Sequence, residues 1–228
     1  MEAVVRFLAL LLTALALTGL PARAADRQDF DACRAATNVA IAIASCTRVI
    51  DDTRLRPEAR AEAYWSRGEA NDQTGQKERA IADYTEAIRL EPDATRAYFA
   101  RGQIYQSRGD HDLAIADFSK FVQLDPKAFG ALYARGNSYR EKGDLDRAIA
   151  DYNEAIRILP NLPSAYHARG VAYRLKGDRE HAIADFRESV RIGPLASAPS
   201  LNELQALGAG GPKTEQEALK QGVLDLLK

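Results

Sequence analysis

Residues 95–128, TRAYFARGQIYQSRGDHDLAIADFSKFVQLDPKA, decide the reading of this chain, because the same 34-residue unit is written four times over. Arg101-Gly102 recurs as Arg67-Gly68, Arg135-Gly136 and Arg169-Gly170, always at a step of 34. The same step relates Gly75, Gly109, Gly143 and Gly177, then Tyr84, Phe118, Tyr152 and Phe186, then Pro92, Pro126, Pro160 and Pro194. A fixed period of this length marks a stacked array, in which no unit buries its apolar face alone. Inside the unit, Tyr98, Gly102 and Tyr105 fall at i, i+4 and i+7, as do Ala114, Phe118 and Phe121, so each trio lines one face of its own helix. Between the trios, Gly109 supplies the left-handed residue that closes the first helix, and Asp110 is expected to accept from the free amides that open the second. Gly102 and Ala114 are small enough to let the two backbones approach, the rings of Tyr105 and Phe118 fill the space beside them, and Pro126 stops the second helix. Each unit is therefore a pair of helices.

With these residues in view, the chain resembles the tetratricopeptide repeat, a family whose unit carries aromatic, Gly, Tyr, Ala, aromatic, Ala and Pro at positions 4, 8, 11, 20, 24, 27 and 32. In residues 61–94 the pattern falls on Tyr64, Gly68, Ala80, Tyr84, Ala87 and Pro92, with Asn71 in the place of the tyrosine. Residues 95–128 supply Tyr98, Gly102, Tyr105, Ala114, Phe118, Phe121 and Pro126. In residues 129–162 Leu132 takes the first aromatic place, and Gly136, Tyr139, Ala148, Tyr152, Ala155 and Pro160 follow. Residues 163–196 carry Tyr166, Gly170, Tyr173, Ala182, Phe186, Ser189 and Pro194. Arg67, Arg101, Arg135 and Arg169 stand where the family usually has Leu, a variant associated with bacterial members. The resemblance implies an all-α, right-handed solenoid of antiparallel helix pairs with C-terminal capping helices.

A worn copy precedes the four. Ala42 to Ile50 aligns with Ala80 to Ile88 at a shift of 38 residues, which makes residues 25–56 a degenerate first repeat. The same shift puts Cys33 and Cys46 on positions 11 and 24, which the resemblance places opposite one another across the helix pair. In an exported chain with two cysteines this reads as a disulfide that staples a poorly cored terminal repeat. Their separation of 13 is not the two-residue gap of a redox motif, and two cysteines without a histidine cluster do not make a zinc site.

The two ends are of different character. Residues 1–24 combine Arg6, an apolar run from Phe7 to Leu20, then Pro21 and Ala22-Arg23-Ala24, the layout of a signal peptide cleaved after Ala24. This run falls short of the roughly 20 residues a spanning helix needs, so no membrane insertion is expected after cleavage. Periplasmic export is the expected destination, with secretion as second choice. Residues 197–228 read as a linker rich in Gly and Pro, with a short helix over Leu201–Leu207 and a final helix over Thr214–Leu227. Thr214 and Glu217 match a capping box there, and Leu219, Val223, Leu226 and Leu227 form an apolar stripe that suits a cap or a partner-docking helix.

Composition narrows the chemistry. With 31 Lys plus Arg against 32 Asp plus Glu in 228 residues, the net charge of -1 lacks the attraction that nucleic-acid binders rely on. His111, His167 and His181 do not converge, no phosphate loop or nucleophile elbow is present, and no cofactor or metal is expected. Asp83, Asp117, Asp151 and Asp185 recur once per repeat, which suits scaffold residues pairing with an arginine such as Arg101 or Arg135 better than catalysis.

The face left free by packing carries the functional expectation. The resemblance implies that the first helix of each repeat lines a concave groove for peptides, and position 5 of the repeat reads Trp65, Phe99, Tyr133 and His167. Arg96, Arg140, Arg174 and Asn137 lie beside them, while Glu62, Glu69 and Asp72 make the first repeat acidic. Aromatic residues and Arg contribute most per contact when desolvated at an interface. The Lys and Asn that clamp a chaperone's C-terminal carboxylates in the family are replaced by Trp65 and Glu69, so a chaperone tail is not the expected ligand. The expectation is a non-catalytic scaffold binding a protein or peptide of unknown identity in this groove. Alternatives are an accessory subunit of an envelope complex docking through its C-terminal helix and, more remotely, an enzyme.

Overall fold

The computed structural model describes residues 24–35, 38–193 and 198–209. Nearly all of the expected signal peptide, Pro194 and the expected final helix lie outside the described residues. All regular structure among the described residues is helical: α1 (Arg27–Ala35), α2 (Val39–Asp51), α3 (Pro57–Gln73), α4 (Lys77–Leu90), α5 (Thr95–Ser107), α6 (His111–Leu124), α7 (Phe129–Glu141), α8 (Leu145–Ile158), α9 (Pro163–Leu175), α10 (Arg179–Ile192) and α11 (Ala198–Ala206). The chain forms two compact units that divide between Ala97 and Tyr98, within α5.

In the first unit α1 opens with a reciprocal cap: Asp29 N–H donates to Asp26 Oδ1 (3.0 Å), and Asp26 N–H donates to Asp29 Oδ2 (3.3 Å). Arg48 of α2 reaches back to Asp29 at 2.7 Å. Cys33 and Cys46 are joined by a disulfide and are buried with Val49, Ile50 and Ala63, with Ala25, Phe30, Leu55 and Tyr64 packed around them. Pro57 begins α3 where a missing N–H costs nothing.

In the second unit the same helix-pair logic repeats with nearly constant geometry. Gly109, Gly143 and Gly177 sit at φ of 81°, 77° and 82°. The next residue bonds back across six positions each time, Asp110 N–H to Tyr105 O, Asp144 N–H to Tyr139 O and Asp178 N–H to Tyr173 O, all at 2.9 Å. This closing motif satisfies carbonyls that a helix end would otherwise leave bare. The expected side-chain cap forms at Asp144 and Asp178, whose carboxylates accept from Arg147 N–H and His181 N–H at 3.2 Å. It does not form at Asp110, whose carboxylate is drawn to Arg108 at 3.2 Å instead.

Close crossing of the paired helices depends on the glycine after each periodic arginine. A Cβ at Gly136 would stand 2.7 Å from the Tyr152 ring, which is fully buried and has nowhere to go. Gly136→Ala is therefore expected to cost about 1–3 kcal/mol in urea unfolding. Gly130→Ala, in open space on the same helix, should be neutral or stabilising by up to about 1 kcal/mol. Equal effects at the two positions would rule out crossing distance as the reason for the repeat glycine.

The arginine itself spans the pair. Arg101 holds Asp117, Arg135 holds Asp151 and Arg169 holds Asp185 at 2.6–2.7 Å, and in the first unit Arg67 holds Asp83 at 2.7 Å. Each contact is two-pronged, Nε and Nη2 meeting both carboxylate oxygens, and the four aspartates are buried. The remaining nitrogen reaches the second helix of the preceding pair: Arg67 to Thr47 Oγ1 (3.0 Å), Arg135 to Ser119 Oγ (3.1 Å) and Arg169 to Asn153 Oδ1 (2.6 Å). One side chain thus joins three helices.

Helix α11 closes the second unit as described. Leu201 and Leu204 are buried, and Leu204 packs on Ala182 and Phe186. Gly208, at φ 62°, ends it with the same six-position bond, Ala209 N–H to Leu204 O at 3.0 Å.

Candidate peptide-binding face

In the first unit Trp65 is half-buried on α3, and its indole Nε1 is buried without a hydrogen-bond partner. The Arg96 guanidinium lies 4.1 Å above the ring and is pinned by Glu62 at 2.6 Å. Glu62 is also 4.0 Å from Arg34 of α1. A shallow cavity of about 120 Å³ opens here, lined by Glu62, Trp65, Glu91, Asp93 and Arg96 among others. What the residues present outward is thus a cation stacked on a ring within an acidic rim.

In the second unit the rings expected in the groove are half-buried and lean into their own helix pairs. Phe99 packs 5.7 Å from both Phe118 and Phe121, Tyr133 lies 6.0 Å from Tyr152, and His167 lies 5.6 Å from Phe186. They do not stand free as a ladder, because the aromatic of the second helix draws each ring inward and leaves one edge outward. Asn137 accepts from the Tyr152 hydroxyl at 2.8 Å and from Arg140 Nη1 at 3.4 Å, while Arg140 Nη2 holds Glu141 at 2.7 Å. Burial pushes the Tyr152 phenol up, so it stays a neutral donor to Asn137.

At the end of the unit α11 meets two of the residues assigned to the groove. His167 Nδ1 meets Ser200 Oγ at 2.9 Å, Ser200 donates to Ser189 at 3.0 Å, and Arg174 pairs with Glu203 at 3.1 Å. Burial lowers the His167 pKa against the pull of Glu203, with Arg140 adding to the lowering, so the ring is chiefly neutral near pH 7. His167 and Arg174 make their contacts with α11, while Phe99, Tyr133, Asn137 and Arg140 are half-buried on α5 and α7. Sequence reasoning missed Gln106, whose Nε2 donates to Ala134 O (2.8 Å) and Ser138 Oγ (2.7 Å). Its signal was present, since Gln106 precedes Arg140 by the 34-residue step.

The other two histidines stand apart from this face. His181 pairs with Asp178 at 2.8 Å and stacks on Tyr173 at 4.9 Å. His111 Nδ1 is buried without a partner. Among the described residues no three of His, Cys, Asp or Glu gather where they could hold a metal ion, and no helix is long and apolar enough to cross a membrane.

Comparison with known proteins identifies the class. Three family profiles match, described as tetratricopeptide repeat over residues 30–94, 73–129 and 163–194 and as TPR repeat over residues 136–177. Together they run from residue 30 to residue 194, and the chain belongs to the tetratricopeptide-repeat family. The crystal structure of MamA is 25% identical, covers 68% of this chain and 88% of its own, and superposes with a TM-score of 0.63. YrrB, described as a TPR protein with an unusual peptide-binding site, is 19% identical, with 73% and 84% coverage and a TM-score of 0.66. At that identity the second likeness speaks to fold alone. No protein of curated function matches the sequence.

Proposed function

We propose that this protein is a non-catalytic interaction scaffold of the bacterial periplasm that binds a peptide or protein segment through the first helices of its repeats. The observation that carries the reading is the group on α5 and α7, where Phe99 and Tyr133 are half-buried rings and the Arg140 guanidinium is held by Glu141 at 2.7 Å and reaches Asn137 at 3.4 Å. Half-buried rings lose little rotamer freedom on binding, and an oriented guanidinium suits a carboxylate or backbone carbonyl of a ligand. Trp65 with Arg96 offers a comparable element in the first unit. YrrB, a peptide binder by its description, shares the fold and supports this use of it. The cysteine pair supports an oxidising compartment, in keeping with the leader-like residues 1–24.

Because the rings also serve their own helix pairs, charge reversal tests the reading more cleanly than ring removal. The chain beginning at Ala25, used as bait for crosslinking in an envelope extract, should capture a partner that Arg96→Glu with Arg140→Glu loses by at least tenfold at unchanged helical content. Capture that survives both reversals but fails on deletion of residues 213–228 would move recognition to the C-terminal segment. Turnover of a substrate by the purified chain would sink the scaffold reading.

A further inference from the structure

The first backbone nitrogen after the expected cleavage point has a partner waiting. Ala25 N–H donates to Asp52 Oδ2 at 3.1 Å, across 27 residues of sequence. The Ala25 side chain packs with the cluster around Cys33 and Cys46, Ala24 is exposed, and the reciprocal cap of α1 starts one residue later at Asp26. The Asp52 side chain is only 6% exposed, and Arg54 fixes it two-prongedly at 2.8 Å through Nε and Nη2. A carboxylate so placed, already served by one guanidinium, still accepts from the chain start.

We propose that hydrolysis of the peptide bond between Ala24 and Ala25 creates a terminal ammonium that docks on Asp52, so that removal of the leader locks the first helix pair. This rests on the export reading above. The reaction consumes one water and is catalysed by an endopeptidase of the signal-processing class: the Ala24 carbonyl carbon takes the water oxygen, its bond to Ala25 N breaks, and Ala25 N takes both water protons, leaving a carboxylate and an ammonium. The product replaces one neutral N–H donor with three, carrying a full positive charge beside an anion.

Asp26 and Asp29 at the start of α1 and Asp52 after α2 are negative; Arg48 is committed to Asp29, and Arg54 is committed to Asp52. Tyr64 of α3 packs on the same cluster. Hydrogen bonding from Arg54 outweighs the opposing effect of burial and, with the backbone N–H groups of Arg54 and Ala25, lowers the Asp52 carboxyl to about 2. It is therefore ionised wherever the amine titrates. Pairing raises the amine above its ordinary value of about 8, so the added stability is complete below that value and is lost as pH rises through the raised one.

Three chains test the lock without relying on export: residues 25–228 with a free amine, the same chain N-acetylated, and a chain retaining residues 22–24. The free amine should give the highest urea midpoint at pH 6.5, the advantage should vanish by pH 10, and Asp52→Asn should erase it. Equal midpoints at pH 6.5, or an advantage that persists in Asp52→Asn, would overturn the lock. N-terminal sequencing of the exported protein should give Ala25 first. Any other start overturns the processing site, a failure separate from that of the ion pair.

Discussion

Asp151→Ala should destabilise the second unit by about 3 kcal/mol or more, toward the 3–5 kcal/mol range seen when one partner of a buried ion pair is removed. The change strands the Arg135 guanidinium, whose side chain is 19% exposed and whose two-pronged contact, 2.7 Å at its shorter arm, is its main compensation. A guanidinium is too basic to shed its proton at ordinary pH, so neutralisation is no escape. Ser119 Oγ and the Tyr139 ring, 5.9 Å away, remain as weaker partners and hold the loss to the lower end of that range. Replacing both groups, Arg135→Met with Asp151→Leu, should recover most or all of the stability, because no charge is then left buried. Urea unfolding of the two variants decides the matter. A single change costing under about 1 kcal/mol would mean that water reaches this pair freely.

Cys33→Ser with Cys46→Ser should cost about 3 kcal/mol, the chain-entropy value for a loop of this size. The bond spans 13 residues and joins α1 to α2, which otherwise share a small core. The loss should be local, because each pair in a repeat array contacts only its neighbours. Hydrogen exchange should therefore show α1 and α2 opening while α7 to α10 keep their protection. Uniform loss of protection along the chain would refute the idea that this bridge staples a terminal element. Both sulfurs are buried, so reductant should act slowly on the folded chain and quickly once α1 and α2 have opened.

The period of 34 carried most of the architecture, and the reason is physical. Gly109, Phe118 and Arg101 act within one unit, on neighbours at short range, and four copies of each local rule leave little freedom. The candidate face was harder to read. Position along a helix assigns Phe99 and Tyr133 to the face expected of the groove, yet does not say how far the rings of Phe118 and Tyr152 draw them inward. The contacts of His167 and Arg174 were hidden for another reason. Their partners, Ser200 and Glu203, lie beyond the last full repeat, on a helix without periodic counterpart. Asp110 shows the same limit at smaller scale, since Arg108 competes for its carboxylate where Asp144 and Asp178 cap their helices.

Arg135 and Asp151 are 16 residues apart and fall in one 34-residue unit, as do the three corresponding pairs. A gene segment copied at that length carries both charges together, so lengthening or shortening the array never orphans either one. Only the third contact crosses into the preceding unit, and there Thr47, Ser119 and Asn153 serve in turn. The strict half of the contract is inherited whole, and the half that spans two copies is met by a different polar side chain each time. Such an arrangement keeps each buried pair whole when complete 34-residue copies are gained or lost.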